Sequence, residues 1–257
     1  MTRIPYIAYN TFREAVRDRV LYNLIVFAVL LVGCSLLVGE TSIGIERQVL
    51  INLGLTAISV FGIIIAVFIG IGLVWKEIDK RTLYTILAHP VRRWEFMVGK
   101  YCGLAGTLVV NTSIMAIGLF AALLYLTHSL HRTDLWLLVA LWFIVLEFFM
   151  VTALALLFSA FSTPLESAVF AFVLFLVGSF AEDLRGFAHM AHGFTRIAAT
   201  LAGYTVPNFA AFNVISRVAH GQPLEGSLIL YNTLYALLYA TAVVAGSVLI
   251  FERRNLK

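Results

Sequence analysis

Charge is what this sequence has least of. Only 12% of its 257 residues are Asp, Glu, Lys or Arg, whereas 61% are hydrophobic and the mean hydropathy is +0.95. A soluble domain carries about 25% charged residues. A chain of this length could bury a good core, yet it lacks the polar surface to stay in water, so lipid is the solvent for most of it. Cysteine is nearly absent as well. Cys34 and Cys102 both fall in apolar stretches, which excludes a disulfide framework and reads as small packing residues. The alternation of apolar and polar residues in segments of about ten, which marks membrane barrel strands, is missing. A phosphate-binding loop of the form G-x-x-x-x-G-K-[ST] is missing too. Gly99-Lys100 has Trp94 where the first glycine belongs and Tyr101 where the hydroxyl belongs. ATP hydrolysis by this chain is therefore excluded.

What is present is a series of long apolar runs. A helix needs about 20 apolar residues to cross the hydrocarbon core. Six windows qualify or nearly do: Val20–Val38, Asn52–Val74, Tyr101–Leu126, Leu135–Phe161, Leu165–Ala181 and Ser227–Phe251. Helices are expected because an unpaired backbone group in lipid costs several kcal/mol. The apolar run begins only near Val20 and no small-residue cleavage site follows, so a retained first span is expected rather than a cleaved signal. Lys and Arg collect on the cytoplasmic side. With the N-terminus inside, 13 of the 18 basic residues are cytoplasmic, and only Arg47, Arg132, Arg185, Arg196 and Arg217 lie outside. Both termini are then cytoplasmic, in a plasma membrane and most simply a bacterial inner membrane. The expected architecture is an all-α integral membrane protein, a single transmembrane domain over residues 1–257 with six spans.

Two segments are neither span nor simple loop. Near the N-terminus, Ile4, Ala8, Phe12 and Ala15 share one helical face and Asn10, Arg13 and Arg17 the other. This pattern suits an amphipathic helix lying on the cytoplasmic surface. Residues 182–226 are too apolar for a hydrophilic loop and predict short outer-side helices, part of which dips back into the membrane, with a break at Pro207 and Asn208.

Between the second and third windows runs KEIDKRTLYTILAHPVRRWEFMVGK, Lys76 to Lys100, with six basic and three acidic side chains. Asp79 or Thr82 can cap a short helix and Pro90 ends it. Leu83, Ile86 and Leu87 fall at i, i+3 and i+4, with Tyr84 beside them. An apolar helix face held in water by flanking charge is a docking surface. The residues alone leave a second reading open, a charged loop whose apolar side chains rest against the membrane.

The order of residues resembles the first cytoplasmic loop of type-2 ABC transporter permeases. That loop has an acidic residue, a Gly/Arg-Thr-Leu, an apolar pair, a proline, a Ser/Arg-Arg pair and a closing Gly-Lys. Glu77, Arg81-Thr82-Leu83, Ile86-Leu87, Pro90, Arg92-Arg93 and Gly99-Lys100 take those places here, Arg81 standing where the family commonly has glycine. The resemblance extends over the chain, through an amphipathic entry helix, six spans and short outer helices between the fifth and sixth. It implies that the loop is a coupling helix, with Glu77, Thr82, Leu83, Tyr84, Ile86, Leu87, Pro90, Arg92 and Arg93 against a cytoplasmic ABC ATPase subunit. Gly99 and Lys100 would then form the hinge to the third span. It further implies a second permease copy, with ATP and magnesium on the partner subunit and no cofactor in this chain. The activity implied is export of a hydrophobic or amphiphilic substrate. The alternative is mechanical transmission from the ATPase to an outer-side protein without solute transport. A cavity closed by residues 182–226 favours export, and an exposed apolar platform there favours the alternative.

Gly62, Ala66 and Gly70, and likewise Gly99, Gly103 and Thr107, lie at four-residue spacing, which lets helices pack closely in lipid. Glu147 is the one carboxylate deep in a window. It either bonds to Asn111, Thr112 or Ser113 on a neighbouring helix, or lines or gates a substrate path. His189 with His192, and His128 with His131, have one-turn spacing but no third ligand, so they read as interfacial histidines rather than a metal site. The basic residues hug one membrane face, where lipid is the expected counter-charge, not nucleic acid.

Overall fold

The computed structural model describes residues 4–16, 26, 27, 30, 33, 46–79, 92–127, 134–190, 193, 195, 196, 200, 203 and 206–253, with backbone alone at 73–79, 127, 189 and 253. Among the described residues the helices are α1 (Ile4–Ala15), α2 (Glu46–Asp79), α3 (Arg93–Thr127), α4 (Leu135–Ser159), α5 (Pro164–Ser179), α6 (Ala181–Met190), α7 (Ile215–Ala219) and α8 (Gly226–Arg253), with a 3-10 turn at Ala210–Phe212. No strand occurs among the described residues.

Four of these, α2, α3, α4 and α8, are long and apolar enough to cross a membrane. Helix α5 has 16 residues and joins α6 through a bend of 54° to make a fifth candidate. Five of the six expected windows therefore reappear as helices, and the second and third helices extend beyond theirs. The second starts at Glu46 rather than Asn52, and the third at Arg93 rather than Tyr101. Hydropathy marks the lipid-facing length, whereas backbone hydrogen bonding carries the helix on into the headgroup layers. The first window, 20–38, lies almost wholly outside the described residues. Its Phe27 is buried and lies against Gly118 of α3.

Helix α4 is the centre of the bundle. Its sequence is apolar all round, which is the composition of a helix surrounded by others, and α2, α3, α5 and α8 all pack on it. Asp134–Arg47, Glu147–Ser59, Phe148–Gly62 and Ala155–Gly70 pair at matched steps, so α2 and α4 run parallel. Leu119 meets Gly54, so α3 runs the other way. Small residues set these contacts. A Cβ on Gly62 would run into the ring of the fully buried Phe148, and one on Gly70 would stand 3.2 Å from Ala155 Cβ. The glycine spacing in α2 thus serves packing inside one subunit.

The same device seats α1 on α3. Gly99 faces Ile7, and a Cβ on Gly103 would stand 2.6 Å from the Ala8 carbonyl oxygen. The side of α1 that meets α3 carries the expected Ile4–Ala8–Phe12–Ala15 face with Ile7 and Thr11 beside it; Thr11 and Ala15 are buried and the others half-buried, while Asn10 and Arg13 are exposed. Tyr6 and Tyr9 are left on the outward face, 79% and 66% exposed, as interfacial aromatics are. Cys102 also faces outward, correcting its reading as a packing residue, since the helical phase turns its neighbours Tyr101 and Gly103 inward.

Candidate functional site

Two constellations lie at opposite ends of the bundle. The first stands where the chain leaves the Lys76–Lys100 segment. Residues Thr82, Leu83, Tyr84, Ile86, Leu87 and Pro90 lie outside the described residues, and Glu77 is described by its backbone alone. Asp79 is the last residue of α2, and the short helix expected after it lies outside the described residues. Description resumes at Arg92, whose backbone N–H donates to Glu95 Oε2 at 3.2 Å. The glutamate reaches back over the first turn of α3, as in half a capping box.

Arg93 turns its guanidinium to the end of α8, where Nη1 donates to the carbonyl oxygens of Glu252 at 3.0 Å and Phe251 at 3.4 Å. A cation there satisfies carbonyls that the last helical turn leaves unpaired and meets the negative end of the helix dipole. Phe96 stacks on Phe251 with ring centroids 6.2 Å apart, and Met97 and Ala160 complete the cluster. Lys100 is 3% exposed. Its Nζ lies 4.0 Å from Glu14 Oε2 of α1 and 5.6 Å from the Phe96 ring centre. Gly99 and Lys100 lie within the unbroken α3 helix and join it to α1. The start of α3 is thus fastened to both α1 and the end of α8.

The second constellation is a cleft of about 290 Å³ between α2, α4, α5 and the segment 209–216. Asn52, Thr56 and Ser59 stand along one face of α2 at i, i+4 and i+7, and all three line it. Exposure falls along this stripe: Asn52 and Thr56 are exposed, Ser59 is half-buried and Glu147 is buried at 8%. Ser59 Oγ donates to Glu147 Oε2 at 3.3 Å, a long bond for a carboxylate acceptor.

The expected partners of Glu147 on α3 are engaged elsewhere. Thr112 and Ser113 donate to the carbonyls of Leu108 and Val109, and the Asn111 amide faces Met115 Sδ. Serine and threonine in an apolar helix satisfy themselves on the preceding turn, and the rotation of α4 turns Glu147 toward α2. Placing a carboxylate at this depth costs roughly 2.5–3.5 kcal/mol even on lenient scales.

The roof of the cleft is the non-helical break expected at Pro207 and Asn208. Gly178 lets the Pro207–Phe209 backbone lie directly on α5, and Phe209 N–H donates to the Gly178 carbonyl at 3.1 Å. Phe209 and Phe212 are buried, packed against Phe175 and Phe143 at 5.2 and 6.1 Å between centroids. Helix α8 holds the roof from outside. Asn232 Nδ2 donates to the Ala211 carbonyl at 2.7 Å, Tyr235 Oη accepts from Asn208 N–H at 3.1 Å, and Tyr235 stacks on Phe212. One helix therefore touches both sites, its last turn at Arg93 and its second and third turns at the roof.

Glu147 was legible in the sequence as a lone buried carboxylate. Its companions Asn52, Thr56 and Ser59 were not singled out, although polar residues at i, i+4 and i+7 in an apolar helix are the signal that finds them. Asn232 and Tyr235 carry no such signal. Among the described residues no group of three potential metal ligands occurs.

A comparison with curated proteins finds no match. A family profile described as ABC-2 family transporter protein matches residues 6–256. That match covers nearly the whole chain, including α1, every long helix and the Lys76–Lys100 segment. With several helices long enough to cross a bilayer, the chain is an integral membrane protein that belongs to the ABC-2 transporter family of ABC permeases.

Proposed function

We propose that this permease exports a hydrophobic or amphiphilic solute, driven by ATP hydrolysed on a separate cytoplasmic ABC ATPase subunit. The reading places two permease copies with two ATPase subunits in a bacterial inner membrane. Both termini and the Lys76–Lys100 segment are then on the cytoplasmic side, where Leu83, Ile86 and Leu87 seat in the ATPase. Movement of that segment pulls on Arg93. The Arg93 clamp and the Phe96–Phe251 stack pass it to α8, a 28-residue helix, which carries it to the roof through Asn232 and Tyr235. Gly99 and Lys100 act here as the joint between α3 and α1.

The observation that carries solute transport over mechanical transmission is the cleft itself. Phe209 and Phe212 of the segment 206–219 are buried and line it, where a platform for an outer-side protein would turn them outward. A charged group in a membrane span is retained where it serves a path or its gate, and Glu147 stands at the deep end of this one.

The test is co-purification of the permease with its ATPase after Leu83→Asp and Leu87→Asp, each of which puts a carboxylate on the docking face. The expected result is loss of the ATPase from the complex and loss of ATP-driven export. Retained association with normal export would sink the coupling assignment.

A further inference from the structure

We propose that the cleft is a binding site for a small organic cation, an amine or quaternary ammonium, with Glu147 as its counter-ion. This deepens the transport reading above, and rests on it, by naming the class of solute.

The charge inventory of the cleft points that way. Among the described residues that line it, Glu147 is the one ionisable group, and the other polar members are hydroxyls and amides, namely Asn52, Thr56, Ser59, Ser179, Asn213 and Ser216. Among the described residues no lysine, arginine or histidine lines it. Among the described residues Ser59 alone donates to Glu147, at 3.3 Å, so most of the carboxyl group's hydrogen-bonding capacity is not taken up by them. An anion entering would find no positive partner among the described lining residues. A neutral solute would displace water without supplying a counter-charge. A cation supplies what the site lacks.

The walls decide which kind of cation. Phe175, Phe209 and Phe212 line the cleft, and aromatic faces attract alkylammonium groups. An inorganic cation needs several oxygen ligands around it, whereas one carboxylate and scattered hydroxyls with apolar surface between them suit an ion that carries its own apolar shell. Size agrees. At about 30 Å³ for each water in the liquid, a cleft of about 290 Å³ holds on the order of ten waters, the space of one small aromatic ammonium ion.

The experiment uses the full-length permease co-purified with its ATPase in phosphatidylcholine nanodiscs. Its probes are three solutes of one shape: phenyltrimethylammonium, its uncharged isostere tert-butylbenzene, and the anion benzenesulfonate. The expected order of affinity is cation over neutral over anion. Glu147→Gln should weaken the cation by roughly tenfold or more and leave the neutral solute unchanged, while Glu147→Asp restores part of the difference. Asn213→Lys, at an exposed lining position, keeps the result decisive where the buried substitution fails to fold, and its ammonium group should exclude the added cation. Equal binding of phenyltrimethylammonium to wild type and to either charge-altering variant would overturn the assignment, as would tert-butylbenzene binding as tightly as the cation. Proteoliposome assays separate this from the reading it rests on. ATP-driven movement of a neutral amphiphile without cation binding overturns the cation site and keeps transport. ATP hydrolysis that moves no solute of any charge overturns transport itself.

Discussion

The contact between Gly62 and Phe148 gives the sharpest test of how this bundle is assembled. A methyl group on Gly62 has nowhere to go: it would overlap the Phe148 ring, and even the third-nearest ring carbon, Cε1, would be 2.7 Å from it. The ring cannot swing into open space, because Phe148 is 0% exposed at the centre of the bundle. Overpacking of this kind costs about 1–3 kcal/mol, and a rigid buried ring puts Gly62→Ala at the upper end, about 3 kcal/mol. The same substitution at Gly72, on the same helix, meets nothing within 4 Å and should stabilise by about 0.5–1 kcal/mol through helix propensity. Phe148→Leu destabilises by itself but makes room for the methyl. The pair Gly62→Ala with Phe148→Leu should therefore be less damaged than the sum of the two, by a coupling of about 1–3 kcal/mol. Unfolding of the four variants and wild type in mixed micelles, titrated with a denaturing detergent, reads these differences directly. Gly62→Ala as stable as wild type, or strict additivity of the pair, would refute the parallel packing of α2 on α4.

Further expectations concern the two ends of α8. Arg93→Ala removes the donor to the Phe251 and Glu252 carbonyls; the site is partly exposed, so stability should fall by only about 0.3–1 kcal/mol, whereas ATP-driven export should fall several-fold if α8 transmits the stroke. Export that follows stability alone, measured by solute uptake into inverted vesicles beside a melting curve, would remove Arg93 from the coupling route. Asn232→Leu and Tyr235→Phe each delete one tie between α8 and the roof, at about 0.5–1.5 kcal/mol of stability. Each should raise thiol labelling of a cysteine placed at Asn213, and labelling unchanged in both would show that the roof is held by its own packing on α5.

Much of the architecture was legible beforehand because it is written locally. Apolar windows longer than the hydrocarbon core announce helices whatever they pack against, and the windows at 52–74, 101–126, 135–161 and 227–251 lie within or nearly within helices of the structure. The break at Pro207 followed from proline's missing N–H, and the four-residue glycine spacing announced close helix packing. Less of the site was legible. Glu147 was identified, but its partner was sought on α3, where threonine and serine spend their hydroxyls on their own helix, rather than at Ser59 on α2. Arg93 read as a residue for an ATPase, and its position in the fold adds a duty to α8 that no motif describes. For α1 the hydrophobic face was legible, and the structure adds Ile7 and Thr11 to it, set against Gly99 and Gly103.

By itself, the sequence determined that the chain lives in lipid, where the helices over five of its apolar windows run, and which family pattern its charged loop follows. Each of these depends on residues within a few turns of one another. Only the tertiary structure decided which face of each helix turns inward, and with it that Ser59 meets Glu147 across 88 positions and Arg93 meets Glu252 across 159. Hydropathy is almost uniform around helices such as α4, so it carries no record of rotation; that is set by where glycine permits another backbone or ring to approach.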